Sequence, residues 1–130
     1  MTADDLPRQI VLDPDYGGAA VFDINRGGEV LNVLPISAKT REEIRDWAKR
    51  WDVLAWQDLH AEWFEDGMMT GSTQRVPNEM WEENDRERRA LWVKLQEELG
   101  ARWQVGWSKH FEDGVLNVQW TPDGPLEPMP

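Results

Sequence analysis

Residues 45–63 read RDWAKRWDVLAWQDLHAEW and hold four of the chain's nine tryptophans: Trp47, Trp51, Trp56 and Trp63. Any fold must place these large apolar side chains. Ile44, Trp47, Ala48, Trp51, Leu54 and Ala55 recur at helical spacing. On one helix over residues 40–64, Ile44, Ala48, Trp51 and Ala55 fall on a line, with Trp47 and Leu54 flanking it. Trp56, Leu59 and Trp63 form a second stripe roughly 100° round the axis. Two stripes leave three arrangements open. The helix breaks near Asp52 and Leu54 so that each half faces the core, or it is sandwiched between a sheet and a loop, or the second stripe meets a partner.

The flanking sequence supplies the rest of the architecture. RQIVL, residues 8–12, reads as a short strand. AAVFDIN-RGGE-VLNVLP reads as a hairpin turning at Gly27-Gly28, with Ile24 opposite Leu31 and Phe22 opposite Val33. Thr40 with Glu43 forms a capping box for the first helix, and Ser37 is an alternative cap. EDGMMTGSTQRVPN is the longest loop, and Met68 and Met69 are unusually apolar for one. Pro77-Asn78 opens a second helix that Gly100 ends, with Asn78 as cap. The charged middle of that helix, EENDRERR, reads as a solvated stretch. RWQVGWSKHF-EDG-VLNVQWT is a second hairpin turning at Asp113-Gly114. Its register sets Phe111 opposite Leu116, His110 opposite Asn117, Lys109 opposite Val118 and Trp107 opposite Trp120. Lys109 is the misfit on an otherwise apolar face. The expected fold is α+β: an antiparallel sheet of about five strands in the order β-ββ-α-α-ββ, with two helices packed on one face. Residues 1–121 form one domain, and residues 122–130 a proline-rich extended tail.

Composition narrows the function classes. The net charge is −11, from 25 acidic and 14 basic residues, and the excess is spread along the chain. That balance argues against direct binding to nucleic acid, which needs a basic footprint. Two readings of the acid stand: copies of a soluble protein kept apart by self-repulsion, which a spread-out excess favours, or a surface that meets a basic protein partner such as the DNA-binding face of a nuclease. No cysteine is present, so thiolate metal sites, disulfides and cysteine nucleophiles are excluded. Its absence, with the polar start MTADDLPRQ, leads us to expect a cytoplasmic protein without a signal peptide. No apolar run has the length of a membrane span.

Catalytic patterns are lacking. His60 and His110 have no metal-ligand spacing to one another. Asp58, His60 and Glu62 alternate, so on a helix they diverge and cannot converge on one ion. No serine sits in a nucleophile elbow, and no phosphate-binding glycine loop occurs. The adjacent acid pairs, Glu42-Glu43 among them, point about 100° apart on helices and read as solvated faces. We expect no enzyme, no metal and no cofactor.

The motif order resembles a group of small acidic actinobacterial proteins of unknown function, some of them similar to the immunity proteins of toxin–immunity systems. The resemblance rests on LPIS at 34–37, WAKRWD at 47–52, LWVKL at 91–95, ELG at 98–100 and Val105, and it spans about residues 16–107. It implies a neutralising binder rather than a catalyst. The chain departs from the pattern in its tryptophan-rich stretch 53–64 and in the loop that follows.

The reading is therefore a non-enzymatic protein that recognises and inhibits another protein, a toxin or nuclease-like partner. Aromatic residues dominate interface energetics. The expected anchors are Trp56, Trp63, Met68 and Met69, with Glu62, Glu65 and Asp66 as an acidic rim. The alternative is a small-molecule site between sheet and loop, lined by Trp107, Trp120 and His110. A self-associating assembly component is a third class.

Overall fold

The computed structural model describes residues 8–15, 17–25, 27–65, 67, 74–112 and 115–120. Strand β1 (Arg8–Leu12) and strand β2 (Val21–Asp23) are followed by a 3-10 turn (Leu31–Val33). Helix α1 (Ala38–Glu65) and helix α2 (Asn78–Leu99) come next, then strands β3 (Trp103–Glu112) and β4 (Val115–Gln119). The class is α+β, as expected, but the sheet has four strands in the order β2-β1-β3-β4. It is also mixed rather than antiparallel: β1 runs parallel to β3, with Arg8 beside Trp103 and Ile10 beside Val105. A parallel pair requires a crossover, and the helical hairpin α1–α2 supplies it. β1 is thus central, and Ile10, Val11 and Leu12 are all buried.

The first predicted hairpin keeps its glycines and loses its register. Gly27 and Gly28 take positive φ, 71° and 86°, but Phe22 bridges Glu29, not Val33. The Asp23 N–H donates to the Gly28 carbonyl and the Val30 N–H to the Val21 carbonyl, at 3.1 and 2.9 Å. The chain then leaves the sheet, and Val33 is 79% exposed. Arg41 explains why. Its guanidinium, one turn into α1, donates to the Leu31 and Leu34 carbonyls at 3.2 and 2.8 Å. Those groups have a partner without a neighbouring strand, and Leu31 and Leu34 still reach the core.

α1 is continuous over 28 residues, about 42 Å at 1.5 Å per residue. It does not break near Asp52. That carboxylate instead accepts the Gly17 N–H, 3.0 Å away, and holds the β1–β2 loop against the helix. The cap is Ser37: its Oγ accepts the Thr40 N–H at 3.2 Å. Thr40 is buried inside the first turn rather than capping it. The acid that completes the arrangement is not Glu43 but Glu98, from the last turn of α2. It accepts the Ser37 N–H at 2.8 Å and the Thr40 hydroxyl. These bonds hold the Glu98 carboxyl below its ordinary range, the Thr40 hydroxyl contributing most. Glu43 pairs with Lys94 across the hairpin instead.

The core lies between sheet and helices. Ile10, Leu12, Val21 and Val105 meet Ile44, Trp47, Ala48, Leu91, Trp92 and Leu95. The Trp47 indole N–H donates to the Asn84 carbonyl at 3.0 Å, and that of Trp92 to the Val105 carbonyl at 2.9 Å. Trp107 packs edge-on against Trp47, centroids 5.9 Å apart. The charged middle of α2 is not wholly solvated: Asn84 and Arg88 are buried within it. The Arg88 guanidinium lies 3.2 Å over the Trp107 ring and 3.5 Å from Asp85. Burial draws its pKa down to about 10, against the pull of Asp85, so it remains a cation at neutral pH. At the other helix boundary α2 begins at Asn78, one residue earlier than expected, with Pro77 in the cap position.

In the second hairpin Phe111 faces Leu116 and His110 faces Asn117, as predicted. The register then slips between Ser108 and His110, so Trp107 faces Gln119 instead of Trp120. The extra residue is Lys109, the misfit on the apolar face. A bulge leaves one residue unpaired and lets the strand keep its remaining apolar pattern.

Candidate functional site

The second half of α1 has a different environment from the first. Leu54, Ala55 and Ala61 are buried, yet they lie outside the main core. They pack beside the start of α2 and the segment that leads into it. Asp58 ties these parts together: it accepts the Val76 N–H at 2.7 Å and the Trp81 indole N–H at 2.9 Å. Gln57 donates to the Gln74 carbonyl at 2.9 Å, and Arg75 grips Glu65 through two bonds of 2.8 and 3.1 Å. Trp51 stands edge-on to Trp81 at 6.4 Å.

With that side of α1 occupied, the opposite side carries the second stripe. Trp56 is 39% exposed and Val53 65%. Trp63 and His60 are half-buried. His60 lies between the two indoles, 5.8 Å from Trp56 and 5.3 Å from Trp63, with tilted rings. Spacings of four and three residues place side chains over one another on a helix. Val53, Trp56, His60 and Trp63 therefore form one continuous apolar and aromatic band. Leu59, expected in this band, instead borders a hollow with Trp51 and Trp81 on the other side of the helix. The stacked role of His60 was missed in the sequence, although its spacing from Trp56 and Trp63 was the signal.

Of the expected acidic rim, Glu62 and Glu65 are among the described residues. Glu62 is exposed. Glu65 is committed to Arg75, whose hydrogen bond holds its carboxyl below the ordinary range. Asp66, Met68 and Met69 lie outside the described residues. Of the three residues of the alternative ligand pocket, the described side chains are those of Trp107 and Trp120. Trp107 faces Trp47 in the core. Trp120 lies over Gly106, the neighbouring residue on β3, whose side-chain direction is the opposite one. His110 stands in register with Asn117. Among the described residues no group of three His, Asp or Glu side chains has the geometry to hold a metal ion, and no helix is long and apolar enough to cross a membrane.

A family model described as Serratia CdiI immunity protein-like matches residues 8–110. The chain belongs to this family. The CdiI-like span runs from the first residue of β1 into β3 and contains all of α1 and α2. The aromatic band, the Asp58 anchor and the Glu98 cap are thus all within the CdiI immunity protein-like region. A comparison with curated proteins finds no match.

Proposed function

We propose that this chain is an immunity protein: it binds a toxin protein and holds it inactive, without chemistry of its own. The family match over residues 8–110 carries the reading. The band on α1 gives it a surface. Trp56 leaves 39% of its surface open, and aromatic side chains with one open face are the usual anchors of interfaces. Trp56 and Trp63 are the central anchors in this reading. Met68 and Met69 are proposed as further apolar contacts for the toxin, and Glu62, Glu65 and Asp66 as acidic ones. The net charge of −11 favours a toxin with a basic surface, a nuclease-like one included, because opposite fields steer encounter and fix orientation. The work of such a protein is done in the cytoplasm, where the toxin acts.

The test is capture of the polypeptide encoded by the adjacent reading frame, with growth rescue as the cellular readout. The wild-type chain should bind it and restore growth. The double variant Trp56→Ala/Trp63→Ala should keep its helical circular dichroism and lose capture by about 30-fold or more, the factor that corresponds to about 2 kcal/mol at a hot spot. A folded double variant that captures as well as wild type would remove the band from the interface.

A further inference from the structure

The seam between α1 and α2 opens beside Val53 into a groove of about 400 Å³. Val53 and Leu54 from α1 and Met80 from α2 form its apolar walls, and Val53 and Met80 are 65% and 49% exposed. Glu79, Glu83 and Glu87 follow one another at four-residue intervals along α2 and border it. Arg50 closes the far end through its ion pair with Glu87. Past that pair the seam continues into a second hollow bordered by Glu43 and Asp46. Val53 belongs also to the band of Trp56, His60 and Trp63, so the groove and the band are continuous.

We propose that this groove is a docking site for an aliphatic side chain that the partner carries between lysines or arginines. Apolar walls with space between them fit a leucine-sized or methionine-sized group. Glu83 and Glu87 already pair with Arg86 and Arg50, so Glu79 is the carboxylate that receives a partner's cation directly, and Glu83 exchanges Arg86 for a second. The occupant is not a second copy of this chain: two such rims would bring glutamates against glutamates, on molecules that each carry a net charge of −11. That the partner is a toxin rests on the immunity reading above. The chemistry of the groove does not, and the two are tested separately.

The probe is a short amphipathic helical peptide with leucines set between lysines, titrated into the full chain by calorimetry and by amide chemical shifts. Binding should shift residues around Val53 and Met80. Met80→Glu should weaken it at least about tenfold, and so should Glu79→Lys/Glu83→Lys. Replacing the peptide's lysines by glutamates, or its leucines by serines, should abolish it. The proposal fails if the wild-type chain ignores the lysine peptide, or if Met80→Glu and the double lysine variant both bind it unchanged. It fails also if the wild-type chain dimerises with concentration and Met80→Glu does not, since the groove would then be a self-contact. Were Met80→Glu to unfold, the double lysine variant, altered only at exposed positions, decides alone. Toxin capture separates the two readings. Undiminished capture by folded groove variants overturns the groove and leaves the immunity function. A groove that binds peptide in a chain that neutralises nothing overturns the function and leaves the groove.

Discussion

Two tryptophans on the same helix have opposite fates, and burial decides which. Trp47 is fully buried with its indole N–H bonded, while Trp56 keeps 39% of its surface in water. Trp47→Ala should cost about 3–5 kcal/mol, from lost burial, the cavity left behind and an Asn84 carbonyl without its donor. Trp56→Ala should stay within about 1 kcal/mol of wild type. Urea unfolding of the two variants checks this, and equal midpoints would contradict the division of the helix. Glu98 gives a pH prediction of definite sign. Its carboxyl is held below the ordinary carboxylate range by the Thr40 hydroxyl and the Ser37 N–H. A depressed folded pKa stabilises the fold above the unfolded value, and that contribution is lost as pH falls through the folded value. Wild type should therefore be more stable than Glu98→Gln at neutral pH, with the gap closing as the pH drops below 4.5. Urea midpoints across that range measure it, and a gap that widens in acid would show that the ionised form is not what binds Ser37 and Thr40.

At the scale of elements, Asp58 makes two of the bonds that hold the far end of the helical hairpin. Asp58→Ala leaves the Val76 N–H and the Trp81 indole without their acceptor, which should cost about 1–3 kcal/mol. The loss should be local. Hydrogen exchange should accelerate in the last turns of α1 and around residues 74–81, and remain slow in β1 and β3. Uniform acceleration would mean that the hairpin tip and the sheet unfold as one unit. The helices were legible in the sequence because Ile44, Trp47, Ala48 and Trp51, and later Leu91, Trp92, Leu95 and Leu99, repeat at their own period. β1 and the pairing of β3 with β4 were legible for a similar local reason, but the bulge was not: Lys109 stood out as a misfit, and the expected register ran straight through it. The illegible parts depend on partners remote in sequence. Nothing in VLNVL announces that Arg41 will cap its carbonyls and turn it out of the sheet. Nothing in WAKRWD announces that Asp52 will bind the Gly17 N–H 35 residues away. The aromatic band was half legible: Trp56 and Trp63 stood off the main stripe, but their exposure depended on α2 and residues 74–76 covering the other side.

For the molecule as a whole, charge and topology have separate consequences. With a net charge of −11, association with a basic partner should slow by about tenfold or more as salt rises from about 0.01 to 0.15 M, where the screening length falls from roughly 30 to 8 Å. Dissociation should change little. Stopped-flow mixing measures both, and a salt-independent on-rate would remove the electrostatic part of the proposed recognition. The other consequence concerns the central strand. β1 finds β2 at once, but its parallel neighbour begins at Trp103, opposite Arg8. At about 5–20 residues per second of translation, the ribosome needs between about 5 and 20 s to deliver that neighbour. For that interval the nascent chain carries Ile10, Val11 and Leu12 with one strand edge unsatisfied, and the middle of the sheet closes only once β3 has left the exit tunnel. In the proposed immunity function, readiness is therefore timed by the arrival of β3, not by formation of the helices.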